Sequence, residues 1–350
     1  MNLRHNNFDF LRIFFAFIVV IGHLIIISGV DEFIRILPYF NTYISVTAFF
    51  IISGFLITSS YLRTNSIKLY LKKRAQRILP AYIFVILISG LLLSFFSQYS
   101  FSEYFSNYGL YRYLAANLTF LNFIEPCLPG VFVGNNYNCV VNGALWTLKI
   151  EVCFYLVIPI LISITQRINK KYVLFIAIYC ASILYKNLLE HFSVQHEVVL
   201  YAILGRQLPG FLSYFICGIA CYYYYDYFIQ HKNKLLILGL FLFTIERIID
   251  WEIFTPFALS LIVFTIAFSI KKLNNFGKFG DISYGIYIFH FPIIQLAVYF
   301  GFFEPQYNPY LISFFIIIIV LLTGFLSWHL IEKPFLNRNK FTKAYPAALK

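Results

Sequence analysis

Residues 9–29 read D-F-L-R-I-F-F-A-F-I-V-V-I-G-H-L-I-I-I-S-G. A run of this length can cross a bilayer, whose hydrocarbon core asks for about 20 apolar residues in helical form. Asp9, Arg12 and His23 interrupt it and no A-x-A-like site follows, so it is not a cleavable signal peptide but a retained first helix. Further apolar runs of near-spanning length lie at 44–62, 80–98, 146–165, 172–188, 200–225, 235–250, 254–270, 282–301 and 310–331. The expected fold class is an all-α integral membrane protein with about ten transmembrane helices.

Composition points the same way. Of 350 residues, 60% are hydrophobic, 21% aromatic and 12% charged, against about 25% charged in soluble domains. Only lipid accepts so much apolar side chain on helix exteriors. The net charge of +12 does not indicate nucleic acid. Basic residues that bind phosphate backbones gather on one soluble face, whereas these sit in short segments between apolar runs, the pattern of topology signals. With the N-terminus inside, Arg63, Lys68, Lys72, Lys73, Arg74 and Arg77 fall on the cytoplasmic side. So do Lys271, Lys272, Lys278 and Lys333, which places both termini in the cytoplasm. Residues 1–335 are expected to form a single transmembrane domain, and 336–350 a short basic cytoplasmic tail.

The longest outer segment then spans about 98–144. It is rich in asparagine, yet Tyr99, Phe101, Tyr104, Phe105, Tyr108, Tyr111 and Tyr113 argue against disorder. Loops of that length are usually functional, and this one is expected to lie on the outer surface and cover an external cavity. Cys127 and Cys139 both fall in it, where an oxidising compartment permits a disulfide; two free thiols are the alternative. Cys153, Cys180, Cys217 and Cys221 lie in apolar runs without paired ligands, so packing is expected for them and no metal site.

Ionisable groups inside spans cost about 2.5–3.5 kcal/mol each on insertion scales, so each asks for a reason. Arg12 and His23 are eleven apart; at about 100° per residue they share one stripe of a helix, offset by about 16 Å along it. That suits a route across the membrane; the alternative is a snorkelling arginine and a histidine that merely bonds a neighbouring helix. Glu151 either orients a histidine or substrate hydroxyls, with Tyr155 one turn on, or serves as a structural partner for Lys149, Arg12 or Arg206. His290 precedes Pro292 in the middle of a helix, as a site residue or a packing one. Arg74 and Arg77, at i and i+3, could grip phosphates bidentately from one side of a short helix, or serve only as positive-inside anchors. No G-x-S-x-G elbow, P-loop, H-E-x-x-H or dinucleotide-binding glycine pattern is present.

Six blocks in order resemble the acyltransferase-3 family of membrane acyltransferases. They are Phe8-Asp9-Phe10-Leu11-Arg12 with His23; Phe49-Phe50-Ile51-Ile52-Ser53-Gly54-Phe55-Leu56; and Arg74-x-x-Arg77-Ile78-Leu79-Pro80. Then come Leu145-Trp146-Thr147-Leu148-Lys149-Ile150-Glu151; Tyr284-Gly285-Ile286-Tyr287-Ile288-Phe289-His290-Phe291-Pro292; and Trp328-His329-Leu330-Ile331-Glu332-Lys333-Pro334. The resemblance implies transfer of an acyl group, usually acetyl, from cytoplasmic acetyl-CoA to a carbohydrate outside. It implies His23 as catalytic base or transient acyl carrier, Arg12 as its companion and Glu151 as a second essential polar group. Arg74 and Arg77 would lie at the donor site. Asp9, Ser53, Trp146, Tyr155, Tyr287 and His290 are candidates for acceptor contact or support.

Many relatives append an extracellular hydrolase-like domain, whereas this chain ends shortly after Pro334. It is therefore expected to deliver the acyl group itself or pass it to a separate partner. Lys149 stands where relatives often carry no charge. The expectation is a multi-pass protein of the inner bacterial membrane, with lipid and acetyl-CoA as partners and no bound cofactor. Its acceptor would be a lipid-linked glycan such as the O-antigen of lipopolysaccharide or a capsule. A transporter or flippase is the alternative, since intramembrane Arg, His and Glu also build relays; it would predict paired broken helices in two related halves, and no such symmetry is found.

Overall fold

The computed structural model describes residues 6–64, 66–249, 252–274 and 276–336. Its helices are α1 (Phe8–Ser28), α2 (Asp31–Ile34), α3 (Thr42–Leu62), α4 (Ile67–Leu92), α5 (Phe101–Ser106), α6 (Tyr108–Leu118), α7 (Trp146–Arg167) and α8 (Lys171–His196). They continue with α9 (Val199–Gly205), α10 (Leu208–Tyr223), α11 (Tyr225–Ile249), α12 (Thr255–Ser269), α13 (Ser283–Tyr299), α14 (Pro309–Leu326) and α15 (Lys333–Phe335). The described residues contain no strand; one isolated antiparallel bridge joins Cys127 and Val140. The protein is an all-helical, multi-pass membrane protein.

Seven helical segments among the described residues are long and apolar enough to cross a membrane: Phe8–Ser28, Leu37–Leu62, Ile67–Phe96, Trp146–Arg167, Lys171–His196, Val199–Tyr223 and Pro309–Phe335. The other three expected runs, at 235–250, 254–270 and 282–301, do not form single helices of that length and apolarity, for physical reasons. Near 235–250, the uncharged stretch of α11 is confined between Lys234 and Glu246. Near 254–270 and 282–301, α12 and α13 have 15 and 17 residues, which at about 1.5 Å per residue is short of a core about 30 Å thick. The expected inner loop before Pro80 is also helix. Lys, Arg, Ala and Gln are good helix formers, and α4 runs from Ile67 through Pro80 without ending there. The expected basic tail lies, beyond Leu336, outside the described residues.

The chain divides into two compact units. The first takes Met1–Val19, Phe40–Ile67 and Thr147–Phe279. Its tightest crossing is α3 on α10: a Cβ on Gly54 would meet the Phe215 carbonyl oxygen at 2.2 Å, and one on Gly218 would meet that of Ile51 at 2.1 Å. Small residues let backbones approach in this way. Phe8, Phe55, Phe264 and Phe268 pack as a ring cluster, with centroids 5.3–6.2 Å apart. Asn7 donates its backbone N–H to Ala267 O and its amide to Ile266 O, each at 2.8 Å. Those carbonyls end α12 and have no partner within the helix. Buried Lys186 of α8 is paired with Glu252 and donates to the Tyr43 hydroxyl (2.9 Å), as a cation in a span requires.

The second unit takes Val20–Tyr39, Lys68–Trp146 and Gly280–Lys350. Here α13 lies on α14 through Gly285 and Gly324, where a Cβ on Gly285 would come within 2.9 Å of the Gly324 backbone. The long polar segment after α4 is ordered by specific bonds. Tyr82 donates to Asn117 O (2.6 Å), Asn122 Nδ2 donates to the Tyr82 hydroxyl (2.9 Å), and Tyr104 donates to Gly90 O (2.8 Å). Cys127 and Cys139 form a disulfide within it.

Candidate active site

Within the second unit, α1 and α13 bring two imidazoles together. His23 Nδ1 lies 2.7 Å from His290 Nε2, with the rings nearly parallel at 7°. His290 is fully buried, and its Nδ1 lies 3.3 Å from the Ile286 carbonyl one turn back. A carbonyl can only accept, so Nδ1 of neutral His290 carries the proton and Nε2 keeps its lone pair. His23 Nδ1–H then donates to that lone pair, which leaves His23 Nε2 as the basic nitrogen. One backbone carbonyl thereby fixes the tautomers of both rings. Phe291 closes the pair from the side, with its ring edge-on to His23 at 5.3 Å.

Pro292, inside α13, has no N–H for the carbonyl four residues back. That carbonyl, Ile288 O, instead accepts from Asn142 Nδ2 at 2.8 Å. The next residues continue the contact. A Cβ on Gly143 would strike the Phe291 ring at 2.7 Å, and the Tyr287 hydroxyl donates to Ala144 O at 3.2 Å. One turn further, buried Gln295 accepts from Asn135 and donates to Val140 O at 2.8 Å. The last part of the polar loop is thus bonded to the helix that carries His290.

Arg77 also belongs to the second unit. Its Nη2 donates to Asp281 (2.6 Å) and its Nη1 to Glu332 (2.7 Å), while its guanidinium lies 5.5 Å from the ring centres of Tyr284 and Trp328. Glu332 is buried and further held by the Ser327 hydroxyl at 2.9 Å. Trp328 reaches this place because Gly280, with φ +101°, has no Cβ; one would meet Trp328 Nε1 at 1.9 Å. Arg74 sits one turn before Arg77 on α4 and is half-buried.

In the first unit, Glu151 of α7 is gripped at one oxygen. Ser53 Oγ of α3 donates to Oε1 at 2.6 Å, and the Tyr155 hydroxyl donates to the same atom at 2.7 Å. Asp9 lies against the Gly277 backbone, where a Cβ would meet Asp9 Oδ2 at 1.9 Å. Arg12 is on the first part of α1, and Trp146 opens α7. Six of the expected site residues fall into three polar clusters, each within a single unit: His23 with His290; Arg77 with two carboxylates; and Glu151 with Ser53 and Tyr155. Sequence reasoning missed Asn142, Gly143, Asp281 and Gln295, and gave Glu332 no role. Only Pro292, which must leave a carbonyl in need of a donor, hinted at Asn142.

Two hydrogen-bonded imidazoles inside a multi-pass helical protein have the chemistry of an acid–base pair. Residues 5–329 match an acyltransferase domain, and the chain belongs to the acyltransferase-3 family of membrane O-acyltransferases. It is similar to the O-acetyl transferase of Shigella phage Sf6, with 26% identity over 96% of this chain and 97% of that protein. It is also similar to nodulation protein 10 of Rhizobium leguminosarum bv. viciae, with 28% identity over 85% of each. No solved structure matches.

Proposed function

We propose that this chain transfers an acetyl group from cytoplasmic acetyl-CoA to a hydroxyl of a surface glycan, acting in the inner membrane with both termini in the cytoplasm. The observation that carries the reading is the 2.7 Å contact between His23 Nδ1 and His290 Nε2. With His290 Nδ1–H on the Ile286 carbonyl, it supports a His23 that keeps its Nε2 lone pair, as a general base needs. Nε2 takes the proton of the acceptor hydroxyl as that oxygen forms a bond to the acetyl carbon. The carbon–sulfur bond then breaks, and the coenzyme A thiolate leaves with the proton returned from His23. His290 spreads the charge of the transient imidazolium through its own bond and does not touch the substrates.

Arg74 contacts the donor phosphates in this scheme. Arg77, with two of its donors on Asp281 and Glu332, braces the helix that presents Arg74. The family resemblance makes the Glu151 carboxylate, held by Ser53 and Tyr155, and Arg12 further polar groups that the reaction requires. The name of the phage relative, an O-acetyl transferase, supports acetyl as the group moved.

The test is mass spectrometry of surface polysaccharide from cells carrying the intact gene, no gene, or His23→Ala. One acetyl group per repeat unit with the intact gene alone, and a His23→Ala protein that still inserts, is the expected result. Full acetylation by His23→Ala would remove that residue from the mechanism.

A further inference from the structure

The two helices that carry the histidine pair also build a second feature. A cavity of about 360 Å³ lies where α1 and α13 end, and Ser28, Val133, Asn135, Asn136, Tyr299 and Glu304 are among its lining residues, with Phe303 beside them. All belong to the second unit. The size falls within the range of about 300–1,000 Å³ typical of small-molecule sites. Ser28 is five residues beyond His23 on α1, a rise of about 7.5 Å. An occupant is therefore near the base without touching it.

The walls are preformed. Asn136 Nδ2 donates to Ser28 O, and Asn135 Nδ2 to both oxygens of Gln295, all at 2.9 Å. The Tyr299 ring is set by Phe96 and Phe132, with centroids at 5.8 and 6.2 Å. Glu304 folds back over Gly301, whose φ of +70° and missing Cβ leave room for the carboxylate. With the asparagine amides turned into the protein, the acceptors offered to an occupant are two amide oxygens and the Glu304 carboxylate, one oxygen of which also accepts from Gln306 Nε2 at 2.7 Å, beside the Tyr299 hydroxyl. Tyr299 and Phe303 supply flat apolar faces beside them. Sugars match both, through hydroxyl donors around the ring and C–H groups on its face. The one lining group charged at neutral pH is the Glu304 carboxylate, so a uronate or phosphorylated sugar is disfavoured.

We propose that this cavity binds a neutral sugar unit of the acceptor glycan, adjacent to the unit acetylated at His23. The inference rests on the proposed transfer to a glycan and names where the rest of that glycan is held. It gives the enzyme a preference for a chain over a single sugar, and for neutral chains over acidic ones.

The experiment uses the full chain in native membranes with radiolabelled acetyl-CoA. Acceptors are de-O-acetylated surface polysaccharide of the producing cells, cut to single sugars and short oligosaccharides, and the same oligosaccharides oxidised at C6 to uronates. Val133→Trp fills the cavity; Glu304→Gln removes the charge on an exposed side chain and keeps its shape. Val133→Trp is expected to lower the oligosaccharide-to-monosaccharide ratio of kcat/KM about tenfold, the worth of about 1.4 kcal/mol. Glu304→Gln is expected to relieve the discrimination against uronates. Wild-type transfer with both ratios unmoved in the variants would overturn the cavity's role and leave the acetyl transfer standing. If Val133→Trp does not accumulate, the uronate ratio of Glu304→Gln decides alone. A wild-type protein that acetylates no glycan would overturn both readings together.

Discussion

Glu332 and Arg77, 255 positions apart in the sequence, form an ion pair of 2.7 Å in which the carboxylate is almost wholly buried. Removing one partner of such a pair strands the other's charge, at a cost of about 3–5 kcal/mol. Arg77→Ala is therefore expected to lower the thermal midpoint of the detergent-solubilised protein. Arg77→Lys should restore only part of the loss, since an ammonium does not reach two carboxylates in a fixed fork. An unchanged midpoint in Arg77→Ala would show that the bracing role is wrong.

His290→Phe keeps an aromatic ring beside His23 and removes its acceptor. With no partner to fix His23 Nδ1–H, the transfer rate should fall about 10²–10⁴-fold, the usual worth of a positioned acid–base group. Protein level and acetyl-CoA binding should hold. Acetyl transfer in isolated membranes measures this, and His290→Gln, which still offers an acceptor, should lie between the two.

Glu151→Gln should lower acetyl transfer, because the charge that draws both the Ser53 and Tyr155 hydroxyls is lost. Hydrogen bonds to a charged group are worth about 1.5–3 kcal/mol each. Ser53→Ala and Tyr155→Phe, each removing one of two bonds to the same oxygen, should each lower acetyl transfer. Their combination should be non-additive; strict additivity would mean that the two hydroxyls do not act through Glu151.

Gly143→Ala forces a methyl into the Phe291 ring, which is edge-on to His23. Overpacking of this kind costs about 1–3 kcal/mol. Activity should fall more than stability, as read by parallel transfer and thermal-unfolding measurements. Phe291→Leu, made in the same chain, should recover part of the activity by vacating the space.

The membrane class was legible because a bilayer leaves few choices. Apolar runs of spanning length, broken by short basic segments, admit only transmembrane helices. The same economy singled out His23, Glu151 and His290, since a polar group in a span is costly enough to mark itself. The likeness of the six blocks, which the domain match over residues 5–329 agrees with, named the chemistry. Counting the spans was harder. A 15-residue apolar helix such as α12 and a 26-residue helix entered through a basic stretch such as α4 differ little from ordinary spans when hydropathy alone is read.

What the sequence determined by itself is where polar groups are expensive; what only the tertiary structure decided is who satisfies them. Nothing in spacing joins His23 to His290 across 267 positions, Arg77 to Asp281 across 204, or Asn142 to the Ile288 carbonyl across 146. Hydropathy follows from single residues and short windows, so it can be read along the chain. Hydrogen bonds fall away within a few tenths of an ångström and depend on angle, so their partners exist only once distant helices have been packed side by side.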